Sequence, residues 1–302
     1  MKSTRSLSIL LLATSIMVFV SCKKDEDTED IPTPVTPAPK KLGFSFAFDP
    51  TQPRLDSFGN PSTVSVGRAA QSPQFNGISA HYIELTPTAT TLLGNGEVLY
   101  SGAQTTAGGA SAIDFAQSTI VGEGELFKSF NLSAIAPGTY NYIRVSLAYQ
   151  NYDVNVRYSG VDLTGTVASF IGFDTYITNY DINTQNVIVN GNRLQGYWAF
   201  ETDYLGAFYS TTGQAPPGAT TVPNPIFATS SVPAGSCVVT GLFDPPLVIT
   251  GNETADINVT LSLSTNQSFE WTEVNTDGLY EPAAGENVVD MGVRGLVPIV
   301  NN

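Results

Sequence analysis

The chain contains few of the residues on which most recognisable protein chemistry depends. Of its 302 residues, two are Cys and one is His, and 13 Lys and Arg stand against 27 Asp and Glu. Two Cys cannot form a disulfide framework or a Cys₄ zinc site, and one His cannot form a multi-histidine metal site. Phosphate binding needs clusters of Lys and Arg, which this chain lacks, so we expect no nucleic-acid partner.

Helical spacing is also missing. After Lys41, no segment repeats apolar residues in the i, i+3, i+4, i+7 pattern, and apolar residues instead alternate with polar ones. In residues 256–264 the aliphatic side chains alternate with Asn, Thr and Ser, and Ile143, Val145 and Leu147 share one face of another segment. Such alternation is typical of half-buried antiparallel strands. We therefore predict an all-β fold, an antiparallel β-sandwich of many short strands with little helix.

The N-terminus is typical of a secretory signal. Lys2 and Arg5 form a basic start, and the apolar run from Leu7 to Val20 follows. The run is short for a transmembrane helix, which needs about 20 apolar residues to cross a bilayer. We expect residues 1–21 to be a signal peptide that is removed.

The end of this signal suggests a lipid anchor. The sequence Val18-Phe19-Val20-Ser21-Cys22 resembles the lipobox of bacterial lipoproteins, although Phe19 stands where Leu is commoner. The resemblance implies that Cys22 becomes the first residue of the mature chain and carries acyl chains. The alternative is an ordinary cleaved signal beside an incidental Cys.

Residues 22–40 suggest a tether. Lys23 and Lys24 precede an acidic run, an arrangement that resembles the surface-export signal of Bacteroidetes lipoproteins. This resemblance implies a lipid-anchored protein of the outer membrane that faces outward at the cell surface. Residues 31–40 contain four Pro, which favour an extended, semi-rigid spacer. We expect the folded body to comprise residues 41–302.

Turn signals divide the body into strands. Ala136-Pro137-Gly138-Thr139 precedes one candidate strand, and Asn190-Gly191-Asn192 is predicted to separate two others. The turn 137–140 and the strand after it resemble those of transthyretin-like and immunoglobulin-like sandwiches of bacterial lipoproteins. Residues 211–235 contain five Pro, and we expect a long surface excursion there. A linker to a smaller C-terminal part, residues 236–302, is the alternative.

Catalytic signals are weak. His81 is the only candidate base for a Ser–His–Asp arrangement, and no G-x-S-x-G motif presents a Ser. Cys237 lies in an apolar strand without nearby Lys or Arg, which favours packing over reactivity. Glycoside hydrolysis would need two carboxylates. The candidate pairs are Glu201 with Asp203, Glu123 with Glu125, and Glu270 with Glu273.

Calcium is the cation that the composition suits best, since oxygen ligands are abundant and soft ligands are rare. Residues 181–185 alternate oxygen donors, and the turn 275–278 with Glu281 contains several more. Neither segment fits the EF-hand loop. Both patterns are also typical of ordinary turns capped by Asx side chains. We predict no cofactor or metal site, with calcium as a weaker possibility.

Aromatic side chains are the remaining functional signal. Alternation puts Trp198 and Phe200 on one strand face and Tyr197 on the other, and one of these faces must belong to the core. If the other face is exposed, it would suit a sugar ring or a protein partner. The residues predicted to form this platform are Tyr197, Trp198, Tyr204, Tyr209 and Trp271.

Two classes of function remain from the sequence. The first is a non-enzymatic surface lipoprotein that binds a glycan or a protein, or serves as a structural module of the envelope. The second is an extracellular carboxylate-based glycoside hydrolase or a calcium-dependent adhesin. The absence of a catalytic motif favours the first, and an exposed cleft with two acids beside aromatic rings would favour the hydrolase.

Overall fold

A computed structural model describes residues 38–55, 61–215 and 237–301. These residues form 18 strands and the short 3₁₀ turns Phe115–Gln117, Leu132–Ala134 and Pro282–Ala284. The prediction of an all-β fold is confirmed. The strands are β1 (Lys41–Asp49), β2 (Arg68–Gln71), β3 (Gln74–Thr86), β4 (Glu97–Ser101), β5 (Gln104–Thr105), β6 (Ala112–Asp114), β7 (Leu126–Asn131), β8 (Gly138–Tyr158), β9 (Val161–Phe170), β10 (Thr175–Asp181), β11 (Asn186–Arg193), β12 (Tyr197–Tyr204), β13 (Ala207–Gln214), β14 (Cys237–Ile249), β15 (Ile257–Ser264), β16 (Phe269–Thr272), β17 (Val288–Met291) and β18 (Arg294–Asn301).

The main sheet is built around the 21-residue strand β8. Its order is β13-β12-β9-β8-β3-β4, and every pair is antiparallel. Along one edge, β8 pairs first with β14 through Leu147 and then with β9 from Tyr149 onward. The long strand β8 therefore extends through two parts of the molecule, and it pairs with a different strand in each.

A second sheet, in the order β18-β15-β1-β7, packs against the first part of the main sheet. The largest core lies between them and includes Phe44, Phe46 and Leu261 from the second sheet and Val145 and Leu147 from β8. Strands β1 and β15 run parallel, and so do β6 and β10. The sandwich therefore contains parallel pairs that side-chain alternation does not reveal.

Two smaller sheets cover opposite faces of the β8–β9–β12 region. The sheet β11-β10-β6-β5 packs against one face through Tyr180, which contacts Phe170 and Tyr197. The sheet β17-β16-β2 packs against the other, where Phe269 and Trp271 join the same core as residues of β8 and β9. The positions of these two small sheets determine which parts of the main sheet remain exposed.

The predicted alternation in β15 is confirmed for its apolar side chains, since Val259, Leu261 and Leu263 are all buried. The polar face is not fully solvated, because Ser262 and Ser264 are also buried. The Gln52 side chain donates a hydrogen bond to the Ser262 hydroxyl, and the Ser264 hydroxyl donates to the Pro53 carbonyl. The segment after β1 therefore covers part of this face.

Two local predictions are wrong. Asn190-Gly191-Asn192 does not separate two strands, because all three residues lie within β11. The pairing with β10 shifts there, and Asn190 has a φ of 48°, so these residues form a β-bulge. The Pro-rich excursion also starts later than residue 211, because β13 continues to Gln214. Its remainder, residues 216–235, lies outside the described residues, as do Cys22 and the signal peptide.

Candidate functional site

An exposed aromatic surface lies on the distal half of the main sheet. Directly paired residues point to the same side of a sheet, and the pairing aligns Trp198 with Gly213, Phe200 with Val167, and Tyr204 with Ala207. The same alignment places Tyr209 opposite Thr202 and Tyr158 opposite Val161. Five aromatic side chains therefore share one face, which we call the aromatic face: Tyr158, Trp198, Phe200, Tyr204 and Tyr209.

The aromatic face begins where the small sheet β17-β16-β2 ends. Toward that sheet, Phe200 packs against the core that contains Trp271. Away from it, Tyr158 is 46% exposed and Tyr209 is 58% exposed, while Trp198 and Tyr204 are half-buried. The rings of Tyr158 and Tyr204 meet edge to face, with centroids 5.7 Å apart. The surface is therefore anchored by the core at Phe200 and open to solvent at Tyr158 and Tyr209.

Two glycines give the central rings their positions. A Cβ atom on Gly213 would lie 2.4 Å from the Trp198 indole, and one on Gly165 would lie 2.1 Å from the Phe200 ring. Glycine in a strand interior allows a ring to lie directly over the neighbouring backbone. Trp198 thus covers β13 and Phe200 covers β9, and the opposite side of each ring is directed away from that backbone.

The structure brings together three of the five predicted platform residues. Trp198, Tyr204 and Tyr209 lie on the aromatic face, whereas Tyr197 and Trp271 do not. Tyr197 points to the other side of β12, where it is buried against Phe170 and Tyr180. Trp271 is 0% exposed and packs against Phe269 and Tyr280. The prediction that Tyr197 and Trp271 belong to an exposed platform is wrong, because other sheets cover both side chains.

Sequence reasoning left Tyr158 and Phe200 out of the platform. Tyr158 and Tyr204 are 46 positions apart in the chain, and they meet only because β9 aligns the ends of β8 and β12. A local signal did exist, since Ser159-Gly160 is a two-residue turn with positive φ values between β8 and β9. That turn fixes Tyr158 opposite Val161 and hence on the face of Leu163 and Gly165.

The carboxylates behind the aromatic face stabilise a hairpin. Glu201 and Asp203 share the opposite side of β12, as alternation predicts. Glu201 is buried and accepts hydrogen bonds from the backbone N–H groups of Asn183, Thr184 and Gln185 and from the Thr184 hydroxyl. Burial opposes its ionisation, but these hydrogen bonds outweigh burial and lower its pKa. Asp203 accepts from the Gly206 N–H at the next turn.

Members of the other predicted acid pairs also have partners within the fold. Glu270 is buried and forms ion pairs with Arg54 and Arg68, which tie the segment after β1 to β16. Glu125 is exposed and accepts from the Gly122 N–H. Glu273 lies beside Glu286 instead of Glu270, and both burial and Glu286 raise its pKa. Glu286 is itself buried and accepts from the N–H groups of Val274 and Glu281, so it closes the loop between them.

The turns with many oxygen ligands are held together by their own hydrogen bonds. Residues 183–185 direct backbone N–H groups, which are donors, toward Glu201. In the second turn, Asp277 accepts from the Leu279 N–H and the Asn275 amide donates to Glu281. Among the residues that the structure describes, no group of three or more His, Cys, Asp or Glu side chains could hold a metal ion.

His81 and Cys237 lie in the interior. His81 packs edge to face against Phe173, with ring centroids 5.1 Å apart, and burial lowers its pKa to about 4. Its imidazole is therefore neutral near pH 7. Cys237 begins β14, is 3% exposed and is paired with Leu147 of β8. Neither side chain is accessible to a substrate.

A cleft at the end of β8 contains no pair of carboxylates that could act in hydrolysis. It measures about 300 Å³ and lies between the end of β8 and residues 278–280. Its Gln71 side chain exchanges two hydrogen bonds with the backbone of Asn155, and its Arg157 and Asp162 form a two-bond ion pair. The Gln71 bonds close the free edge of β8, and Asp162, which is paired with Arg157, is the one acid among the residues that line the cleft.

Comparisons with known proteins give no relative for this chain. No protein-family model, no curated protein and no solved structure matches it. Within the described parts of the chain, no helix is long and apolar enough to cross a membrane.

Proposed function

We propose that the chain is an outer-membrane lipoprotein, anchored through Cys22 and exposed at the cell surface, and that it binds a glycan on the aromatic face. The observation that carries the binding proposal is the alignment of Tyr158, Trp198, Phe200, Tyr204 and Tyr209 on one side of four strands. Sugar rings present C–H groups that pack against aromatic faces, and hydroxyls at their edges remain hydrated.

A binding role accounts for the described residues better than hydrolysis does. A glycosidase needs a general acid and a second carboxylate beside the substrate. The carboxylates nearest the aromatic rings in sequence, Glu201 and Asp203, are on the opposite side of β12 and hold backbone N–H groups. The aromatic face contains neither of these acids.

The anchor proposal rests on the sequence of residues 18–30. A Cys22→Ala variant should lose its partition into the outer membrane and appear in the soluble fraction. Cys237→Ala is the matched control and should partition like the natural chain. Protease added to intact cells should degrade the natural protein if it faces outward. Retention of Cys22→Ala in the outer membrane would contradict the anchor.

The binding proposal is tested with the purified chain on a glycan array. Tyr209→Ala should reduce binding by about fivefold, because an exposed stacking ring contributes on the order of 1 kcal/mol. Phe208→Ala is a closely matched control, since Phe208 precedes Tyr209 on β13, is 53% exposed and points to the opposite face. Equal losses in both variants, or binding to a protein partner alone, would contradict a glycan site on the aromatic face.

A further inference from the structure

We infer that the ligand of the aromatic face is an uncharged glycan chain several sugars long, which lies along β12. This inference rests on the proposed function and specifies the class of glycan. Two properties of the surface carry it, namely the charge of its side chains and the length of its row of rings.

From Val154 of β8 onward, and in β9, β12 and β13, the side of the sheet that carries the aromatic face has no charged side chain. The register assigns to it Val154, Val156 and Tyr158 of β8 and Val161, Leu163, Gly165 and Val167 of β9. It also includes Trp198, Phe200, Thr202 and Tyr204 of β12 and Ala207, Tyr209, Thr211 and Gly213 of β13. Not one of these side chains is ionisable near pH 7.

The reverse side of the same strands is strongly charged. It carries Asp153 and Arg157 of β8, Asp162 of β9 and Glu201 and Asp203 of β12. Because the two sides of the same four strands differ in this way, the lack of charge is a property of the aromatic face and not of the strands in general. An anionic glycan would gain no cation on the aromatic face, whereas an uncharged one would lose no ionic hydration there.

The row of rings is longer than one sugar. Trp198, Phe200 and Tyr204 point to one side of β12, and the strand rises about 3.3 Å per residue, so the row spans about 20 Å. Thr202 stands between Phe200 and Tyr204, where no ring is available. Tyr158 and Tyr209 flank the Tyr204 end on β8 and β13. A chain laid along β12 would contact separate rings through separate sugar units.

The experiment follows Trp fluorescence of the full chain in detergent as sugars are added. The chain has two Trp, and Trp271 is fully buried, so a ligand on the aromatic face should change the signal of Trp198 alone. The uncharged probes are oligomers of glucose, mannose, xylose and N-acetylglucosamine, from single sugars to chains of about six units. The anionic probes are oligogalacturonate and heparin fragments.

We expect at least one uncharged series to bind, with affinity that rises about tenfold or more from the single sugar to the longest chain. Affinity should change less than about twofold between low and high salt, because no ion pair is formed. Tyr209→Ala and Tyr204→Ala should each weaken the long chain more than the single sugar. Phe208→Ala should leave both affinities unchanged.

The outcomes separate this inference from the proposed function. Binding to anionic probes alone, with strong salt dependence, would overturn the inference and leave a glycan-binding role intact. Equal affinity for a single sugar and for its longest chain would overturn the extended mode of binding. If no probe binds and the glycan array is also blank, the proposed function itself fails.

Discussion

At the level of single residues, several side chains that could act as catalytic groups are instead buried in the fold. His81, Glu201 and Glu270 are the titratable side chains that an inspection of the sequence would first consider for catalysis, and all three are buried. Glu201 is saturated with hydrogen bonds and Glu270 is paired with two Arg residues. The residues that bury and bind these side chains come from other segments of the chain. Alternation in the sequence predicts which face of a strand a residue lies on, but it does not predict which segment packs on that face.

His81 should make the protein sensitive to acid. Its pKa is about 6.5 when unfolded and about 4 when folded, because burial disfavours the charged imidazole. The associated stability is fully present above pH 6.5 and is lost as the pH falls to about 4, a change of about 3 kcal/mol at 1.36 kcal/mol per pKa unit. Denaturant unfolding of the natural chain and of His81→Leu measures this difference.

Between pH 6.5 and pH 4, His81→Leu should lose about 3 kcal/mol less of its free energy of unfolding than the natural chain does. Tyr158→Leu, a change at an exposed aromatic residue, should leave the pH dependence of the free energy of unfolding the same as in the natural chain. Identical slopes for the natural chain and His81→Leu would contradict a depressed pKa at His81.

Glu201 should stabilise the hairpin between β10 and β11. Glu201→Gln keeps the size of the side chain but removes its charge and turns one acceptor into a donor that faces backbone N–H groups. We expect a loss of about 2 kcal/mol at pH 7, the usual magnitude for charge-assisted hydrogen bonds. Because the folded pKa is lowered, this loss should shrink as the pH falls below the unfolded value near 4.5.

Amide exchange at residues 183–185 reports the effect of Glu201→Gln directly, since these N–H groups donate to the carboxylate. Asp203→Asn is the matched control, because Asp203 is on the same side of β12 but caps a different turn. Unchanged exchange in Glu201→Gln would show that the carboxylate does not hold the hairpin.

At the scale of elements, the positions of most strands follow from alternation, whereas their ends and irregularities do not. β1, β3, β7, β9, β12 and β15 lie close to the runs that the sequence pattern predicts as strands, which are 43–48, 78–85, 125–133, 165–173, 194–202 and 256–264. Asn190-Gly191 has the composition of a hairpin turn but forms a bulge, and the real turn is at residues 182–185. Bulges and two-residue hairpin turns both favour residues that accept positive φ, such as Asn and Gly, so composition alone does not separate a bulge from a turn.

The turn between β12 and β13 contains an unfavourable residue. Leu205 and Gly206 connect the strands with φ values of 53° and 87°, as in a type I′ turn. A leucine in the left-handed region costs on the order of 1 kcal/mol, and this side chain is 80% exposed. Leu205→Asn should therefore raise the free energy of unfolding by about 1 kcal/mol.

Leu205→Ala is the control for this change, because alanine keeps the backbone cost while removing the exposed apolar side chain. Thermal unfolding should show a higher Tm for Leu205→Asn and no increase for Leu205→Ala. A rise in both variants would mean that the exposed side chain, and not the backbone, is the source of the effect.

For the molecule as a whole, the described residues from Pro39 onward form one compact unit. All described strands and core clusters use residues of this unit, and Phe75 contacts both Phe48 and Tyr152, which links two of the clusters. A chain that starts at Pro39 should therefore unfold in a single transition with the Tm of the natural chain. Differential scanning calorimetry checks this, and a second transition or a Tm lowered by several degrees would contradict it.

Alternation in the sequence is enough to predict the all-β class and to place Trp198 and Phe200 on the same side of their strand. Both predictions follow from the two-residue repeat of a strand, which is local. Three other features follow from how the sheets pack: Tyr197 and Trp271 are covered, Tyr158 joins the aromatic face, and β1 runs parallel to β15. These outcomes depend on strand order and on which small sheet packs on which face, and residues far apart in the chain determine both.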